Sequence, residues 1–344
     1  MKFQIEPAPH IIDARPVPQL MREVLIAMIP ALLVYVWFFG IGLLVNAAIA
    51  TAVALASEAA MLRLRGRNLP LYLGDYSAVV TAVLLAFALP ALTPWYVTAI
   101  GTVFAIVFAK HIYGGLGFNP FNPAMAGYVL LLIAYPAPLA DLWISPRGMD
   151  GGLSVGQTLA TIFSASPPEM LTWDAITSAT PLDQVQSNLS RSMTMSEISA
   201  EPMMSSNVVG AWLWFNLAIA AGGIYMLIRG VIRWHIPVAV LAGLASMALI
   251  FYLVDADRYP SPLFHLTTGA AMLGAFFIAT DPVSAATSIR GRLIYGLGIG
   301  ALTYTIRTWG AYPDGMAFSV LLMNMAVPAI DYFTIPAAYG TRDD

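Results

Sequence analysis

The chain has 344 residues, of which 59% are hydrophobic and only 10% charged, with a net charge of −3 and a mean hydropathy of +0.75. Soluble domains carry about a quarter charged residues, so this apolar surface belongs in a bilayer and not around one aqueous core. No basic run exceeds Arg63-x-Arg65-x-Arg67, which argues against a nucleic-acid partner, and the lack of cysteine removes disulfides, thiolate catalysis and cysteine-ligated zinc or iron–sulfur centres.

Residues 1–19 are polar and proline-rich. The first apolar run starts too late for a cleaved signal peptide, and no small-residue cleavage site follows it, so it is expected to be retained as a spanning helix. A span needs about 20 mostly apolar residues. Such runs lie near 22–40, 42–62, 77–92, 95–111, 122–140, 208–228, 236–254, 263–280, 292–308 and 315–333. The expected fold is therefore an all-α integral membrane protein with about ten transmembrane helices. The third, fourth, eighth and ninth runs are short and are expected to be surrounded partly by protein.

Lysine and arginine in the loops set the orientation. With both termini in the cytoplasm, the outer side holds only Arg147, Arg191, Arg258 and Arg307, and the other twelve of the sixteen cations, from Lys2 to Arg342, lie inside. The one long hydrophilic interval, 141–207, then faces outward. It carries Asp141, Asp150, Glu169, Asp174, Asp183, Glu197 and Glu201 and has no periodic core. A short helix is expected at Ser154–Phe163, a loosely ordered stretch at 187–206, and a lid lying on the membrane domain overall. The chain divides into a tail and five spans (1–140), the outer segment (141–207) and five further spans (208–344).

The halves resemble each other. Leu73-Gly74-Asp75-Tyr76-Ser77-Ala78 leads into an apolar helix as Thr267-Thr268-Gly269-Ala270-Ala271 does, and Tyr113-Gly114 is echoed by Trp309-Gly310. Five spans per half is an odd number, so the repeats would be inverted, an arrangement that recurs in transport folds with polar sites near the pseudo-axis.

Several residues are candidates for chemistry. The run Gly114 to Ala124 holds three glycines and two Asn-Pro steps, and cannot continue a helix. It is either an ordinary turn with a helix cap or a re-entrant turn on which Asn119 and Asn122 line a flavin or cation site. Asp281, in Thr280-Asp281-Pro282-Val283-Ser284, reads as a helix cap, as a carboxylate on a cation or proton path, or as both. Asp75 is a second ion-path candidate. Lys110 is expected to snorkel to the inner surface, and Glu58 either to pair with Arg63, Arg65 or Arg67 or to sit neutral. Trp37, Trp95, Trp143, Trp212, Trp214 and Trp309 read as interface belts. The four histidines have no ligand spacing, so no metal site is expected.

Within the outer segment, Asp174-Ala175-Ile176-Thr177-Ser178-Ala179-Thr180 resembles the covalent-flavin attachment motif of the RnfD/NqrB family, membrane subunits of the Rnf and Na⁺-translocating NADH:quinone reductase complexes. Asp174, Ser178, Ala179 and Thr180 stand at the family spacing, Ala179 replacing a common glycine. The Asn-Pro and Thr-Asp-Pro runs also resemble that family, and the length favours its RnfD branch. The resemblance implies FMN joined to Thr180 by a phosphoester, placed there by a flavin transferase that reads Asp174 and Ser178, and a second, non-covalent flavin such as riboflavin. It implies a multi-subunit complex in the bacterial inner membrane, with an outer-side flavoprotein and membrane and cytoplasmic iron–sulfur subunits. Electron transfer between ferredoxin and NAD would drive Na⁺ or H⁺ translocation. From the span pattern alone, a non-redox secondary transporter or channel is the competing reading.

Overall fold

Apolar runs bounded by proline and glycine dictate the helices, and the computed structural model of the protein describes residues 15–147, 152–168, 171–201, 204 and 206–334. Most of the proline-rich tail, the cations Lys2 and Arg342 and the acids Asp150 and Glu169 lie outside the described residues.

In the first half, helices α1 (Val17–Phe39), α2 (Gly42–Leu64), α3 (Ser77–Ala88), α4 (Trp95–His111) and α5 (Pro123–Ala134) stand where apolar runs are expected. The hydrophilic segment 141–207 adds α6 (Val155–Ser164) and α7 (Pro181–Ser190). The second half follows with α8 (Ser206–Ile228), α9 (His235–Val254), α10 (Pro262–Thr267), α11 (Ile289–Trp309) and α12 (Met316–Thr334). An isolated β-bridge joins Ile144 to Thr177. Among the described residues five helices, α1, α2, α8, α9 and α12, are long and apolar enough to cross a membrane, and α3, α4 and α5 are shorter apolar helices.

Local chemistry sets the ends. Pro16 and Pro18 open α1, where a missing N–H costs nothing. Asn122 caps α5 by accepting from Met125 N at 3.2 Å, and Ser288 caps α11 by accepting from Gly291 N at 2.8 Å. The expected eighth span is broken: α10 stops at Thr267, Gly269 takes φ +62°, and the chain resumes as Ala271–Leu273 and the π-helical Gly274–Ile278. The end of α4, Phe104–His111, is also π-helical. Such bulges and breaks sit where backbone lines protein-enclosed space.

The halves meet where α1 packs on α8 and α5 on α12, while α2 packs on α3 and α4, and α9 on α11. The last pair approaches closely because a Cβ at Gly296 or Gly300 would run into the backbone of α9. The described residues of the hydrophilic segment are more ordered than its composition predicts. Residues expected to be loose form the end of α7 and the helix Met195–Ser199, whose Thr194 and Glu197 close a capping box. The expected helix at Ser154–Phe163 is α6, capped by Ser154.

Candidate functional site

Backbone pairing holds the hydroxyl-rich motif in place. Ser145 N donates to Ile176 O at 3.2 Å and Ser178 N to Trp143 O at 2.8 Å, on either side of the Ile144–Thr177 bridge. Asp174 is exposed on the short helix Trp173–Ile176, and Ser178 is half-buried. Two residues on, Thr180 is the N-cap of α7, and its Oγ1 accepts from Asp183 N at 3.2 Å. Pro181 takes the first helical position, where a missing N–H is tolerated. Thr180 thus presents its hydroxyl at the positive end of a ten-residue helix, a natural place for a phosphate.

Thr180 also lines a cavity of about 350 Å³ between the two halves. The walls are mainly apolar and aromatic, with Phe87, Tyr128, Trp143, Trp212, Phe215 and Tyr312 among them. The rings of Trp143 and Trp212 lie 5.6 Å apart. This corrects the interface-belt expectation for two tryptophans. Trp37, Trp95, Trp214 and Trp309 are exposed, but Trp212 is buried and Trp143 half-buried against the cavity. A cavity of this size with aromatic walls and a few polar residues, Thr180, Asp183, Gln186 and Asp314, suits a drug-sized planar ligand.

Gln186 fastens α7 to the second half, its Nε2 donating to Gly310 O at 3.1 Å and more weakly to the Arg307 and Tyr312 carbonyls at 3.4 Å. Buried Arg307 donates to His265 O at 2.7 Å and pairs with Asp314 at 3.2 Å. Asp314 accepts from Ala270 N at 2.6 Å, just after the left-handed Gly269. A Cβ at Gly269 would strike the Asp314 carboxylate, so the turn on the cavity wall requires glycine. Asp183, on the cavity's rim, has its pKa raised by burial and by the charge of Asp141.

A second cavity, of about 160 Å³, collects Asn119, Asn122, Asp281, Ser77 and Lys110. Asp281 is about 160 residues from Asn119 and Asn122 in the sequence, and the fold brings it to them. Asp281 Oδ1 accepts from Val283 N at 3.2 Å and Oδ2 from Ser284 Oγ at 2.8 Å, with Asn119 alongside, so it caps a turn and faces the cavity as well. Asn122 Nδ2 donates to Ile278 O at 3.2 Å, and its backbone N–H is held by Asn324, which the sequence does not single out. The two cavities abut. Leu84, Ala124 and Phe277 line the second, while Phe87, Met125 and Ile278 line the first.

Two charged residues depart from expectation. Lys110 does not snorkel but is 1% exposed, its Nζ 2.9 Å from both Glu58 oxygens and 2.8 Å from Ser77 Oγ. Glu58 accordingly pairs with Lys110 and not with Arg63, Arg65 or Arg67. His111 Nε2 lies 3.1 Å from the same carboxylate, off the line of a hydrogen bond. Arg65 instead donates to the carbonyl of His111. Because π-helical winding turns the end of α4 inward, helical spacing alone cannot reveal this pairing. Asp75 does not line the cavity. Its Oδ1 accepts from Ser77 N at 2.7 Å and Ser77 Oγ at 2.6 Å, which links it to Lys110 through one hydroxyl.

The profile of the NQR2, RnfD, RnfE family matches residues 4–340. The chain is 48% identical over 348 residues to the D subunit of the ion-translocating oxidoreductase complex of Vibrio cholerae, covering 99% of this chain and 100% of the relative. Proteins of the same description from Marinobacter nauticus and Pseudomonas aeruginosa are 49% and 50% identical, over 97% of this chain and 94% and 95% of theirs. With apolar helices of spanning length, the chain is a multi-pass membrane protein, and it belongs to the NQR2, RnfD, RnfE family.

Proposed function

We propose that the chain is the membrane subunit of an ion-translocating oxidoreductase complex, and that it carries FMN as a phosphoester on Thr180. The observation that carries this reading is the placement of Thr180 at once on a helix N-terminus and on the aromatic cavity between the halves. The residues present fit the group. The α7 N-terminus suits the phosphate, Trp143, Trp212, Phe215 and Tyr312 suit the ring system, and exposed Asp174 with half-buried Ser178 is accessible to a transferase. Flavin bound there supplies one-electron chemistry, and the protein supplies position and electrostatics. Gln186 holds α7 in register, and the aromatic walls exclude water from the ring.

The second cavity suits the polar edge of a non-covalent flavin more than a dedicated cation cage. It offers the amides of Asn119 and Asn122 with the single carboxylate of Asp281, against apolar Leu84, Met226 and Phe277. Hard cations usually gather six or more oxygens. Asp281, on the second cavity, and Asp75, hydrogen-bonded to the cavity-lining Ser77, are the acids proposed for an ion route on the inner side.

The reading includes ten spans in two inverted repeats. A left-handed residue, Tyr76 at φ +63° or Gly269 at φ +62°, stands at corresponding points of the halves. The amide after it is capped by Asp75 or Asp314. Each turn is also touched by a buried cation from the end of the half's fourth long segment, Lys110 or Arg307. Both termini would then be cytoplasmic in a bacterial inner membrane, with Thr180 outside beside an outer flavoprotein, and iron–sulfur subunits completing the chain of carriers.

The assembled complex in phospholipid vesicles tests this. Electron transfer from reduced ferredoxin to NAD, and cation uptake driven by it, should both fail in Thr180→Val while the complex still assembles. Cation movement that persists without any flavin would favour the non-redox transporter.

A further inference from the structure

Helix α6 is inside out for an element in water. Thr158, Thr161 and Ile162 are buried, whereas Val155, Leu159 and Phe163, spaced i, i+4 and i+8 on one face, are 58%, 37% and 56% exposed. Neither threonine is orphaned, since Thr158 Oγ1 donates to Ser154 O at 3.0 Å and Thr161 Oγ1 to Gln157 O at 2.9 Å. The hydroxyls of Thr158 and Thr161 are spent on the helix's own backbone, and of its large apolar groups all but Ile162 point away from the protein. No charged residue occurs anywhere in 151–168.

The helix is fixed in place. Ser154 and Gln157 close a capping box at its start, and Ala165 ends it at φ +56°. It packs on α2. Just before it in sequence, Arg147 N donates to Phe38 O at 2.7 Å, which ties this part of the chain to the turn between α1 and α2. At that same end of the two helices Trp37 and Leu44 are 72% and 47% exposed, a lipid-facing tryptophan level of the kind found at bilayer interfaces.

We propose that α6 is an interfacial anchor, with Val155, Leu159 and Phe163 seated at the boundary between phospholipid headgroups and acyl chains on the side of the membrane where 141–207 lies. The occupant is lipid because the face carries no charge and no free hydrogen-bonding side chain with which a protein partner would be recognised, and because α6 packs on α2, a helix of spanning length. The inference rests on the chain spanning a membrane and not on the flavin. Its consequence is mechanical. The segment leading to Thr180 is held by lipid at α6 and by the second half at Gln186, which fixes the height of Thr180 over its cavity.

The chain has no cysteine, so Leu159→Cys and Phe163→Cys each give a single site for a nitroxide label in the full chain reconstituted in phosphatidylethanolamine–phosphatidylglycerol vesicles. Collisional relaxation by oxygen, which concentrates in lipid, should exceed that by a water-soluble nickel chelate several-fold at both positions. Relaxation dominated by nickel at either position overturns the proposal. In the assembled complex, a photoreactive benzoylphenylalanine at Phe163 should give lipid adducts. Crosslinking to another protein of the complex, or no adduct, would overturn it too.

Discussion

Asn324 Oδ1 accepts the backbone N–H of Asn122 at 3.1 Å, tying the start of α5 to the middle of α12. The same side chain donates to Ser284 O at 3.0 Å and to Tyr295 Oη at 2.8 Å. One buried amide therefore joins both halves around the second cavity. Asn324→Leu should lower stability by about 1–3 kcal/mol for each buried group left unpaired. Thermal unfolding of the purified chain in detergent measures this, and attachment at Thr180 should be unchanged because Asn324 does not line the cavity at Thr180.

Lys110→Met should be among the most damaging single substitutions, because it leaves the Glu58 carboxylate buried without its cation. Breaking a buried pair costs about 3–5 kcal/mol. Adding Glu58→Gln should recover much of that loss. A double-mutant cycle on unfolding midpoints tests the coupling, and simple additivity would show that the pair does not act as a unit.

Gln186→Ala removes the bonds that hold α7 to the loop after α11. A cost of about 1 kcal/mol is expected. The diagnostic change is in dynamics: flavin held on Thr180 should show lower fluorescence anisotropy, with the same amount attached. Unchanged anisotropy would mean that the cavity walls alone fix the ring.

Asp183 supplies a pH dependence. Its folded pKa is raised above the ordinary 3.8 by burial and by Asp141. Below 3.8 the folded and unfolded forms both hold the proton, and nothing is lost. As pH rises through 3.8 toward the raised value, the unfolded chain releases its proton first, and the folded state loses stability. Asp183→Asn should raise the unfolding midpoint at pH 8 and leave it nearly unchanged near pH 3.5. An equal gain at both values would contradict the burial argument.

Helix positions are legible in the sequence because apolar runs bounded by proline and glycine are local signals, and α1, α2, α8, α9 and α12 follow from them directly. Asn119, Asn122 and Asp281 are recognisable as candidates because asparagine and aspartate beside proline inside apolar sequence are locally anomalous. That they share one cavity is a tertiary fact. The pairing of Lys110 with Glu58 runs against the sequence expectation, since a π turn reorients the end of α4 and no periodicity records it. Trp143 and Trp212 mislead for a related reason: an aromatic near the end of a span looks the same whether it faces lipid or a cavity. The order in α7 and Met195–Ser199 comes from caps, Thr180 and Thr194, whose signal is one side chain long.

The central claim is that Thr180 holds the flavin. The most direct measurement is flavin fluorescence on a denaturing gel of the chain expressed with its transferase, beside Thr180→Val. Denaturation destroys the cavity, so only a covalent bond keeps fluorescence with the band. A fluorescent wild-type band and a dark mutant band are predicted. A dark wild-type band, with the transferase active on a control protein, would contradict the account, as would a mutant band as bright as the wild type.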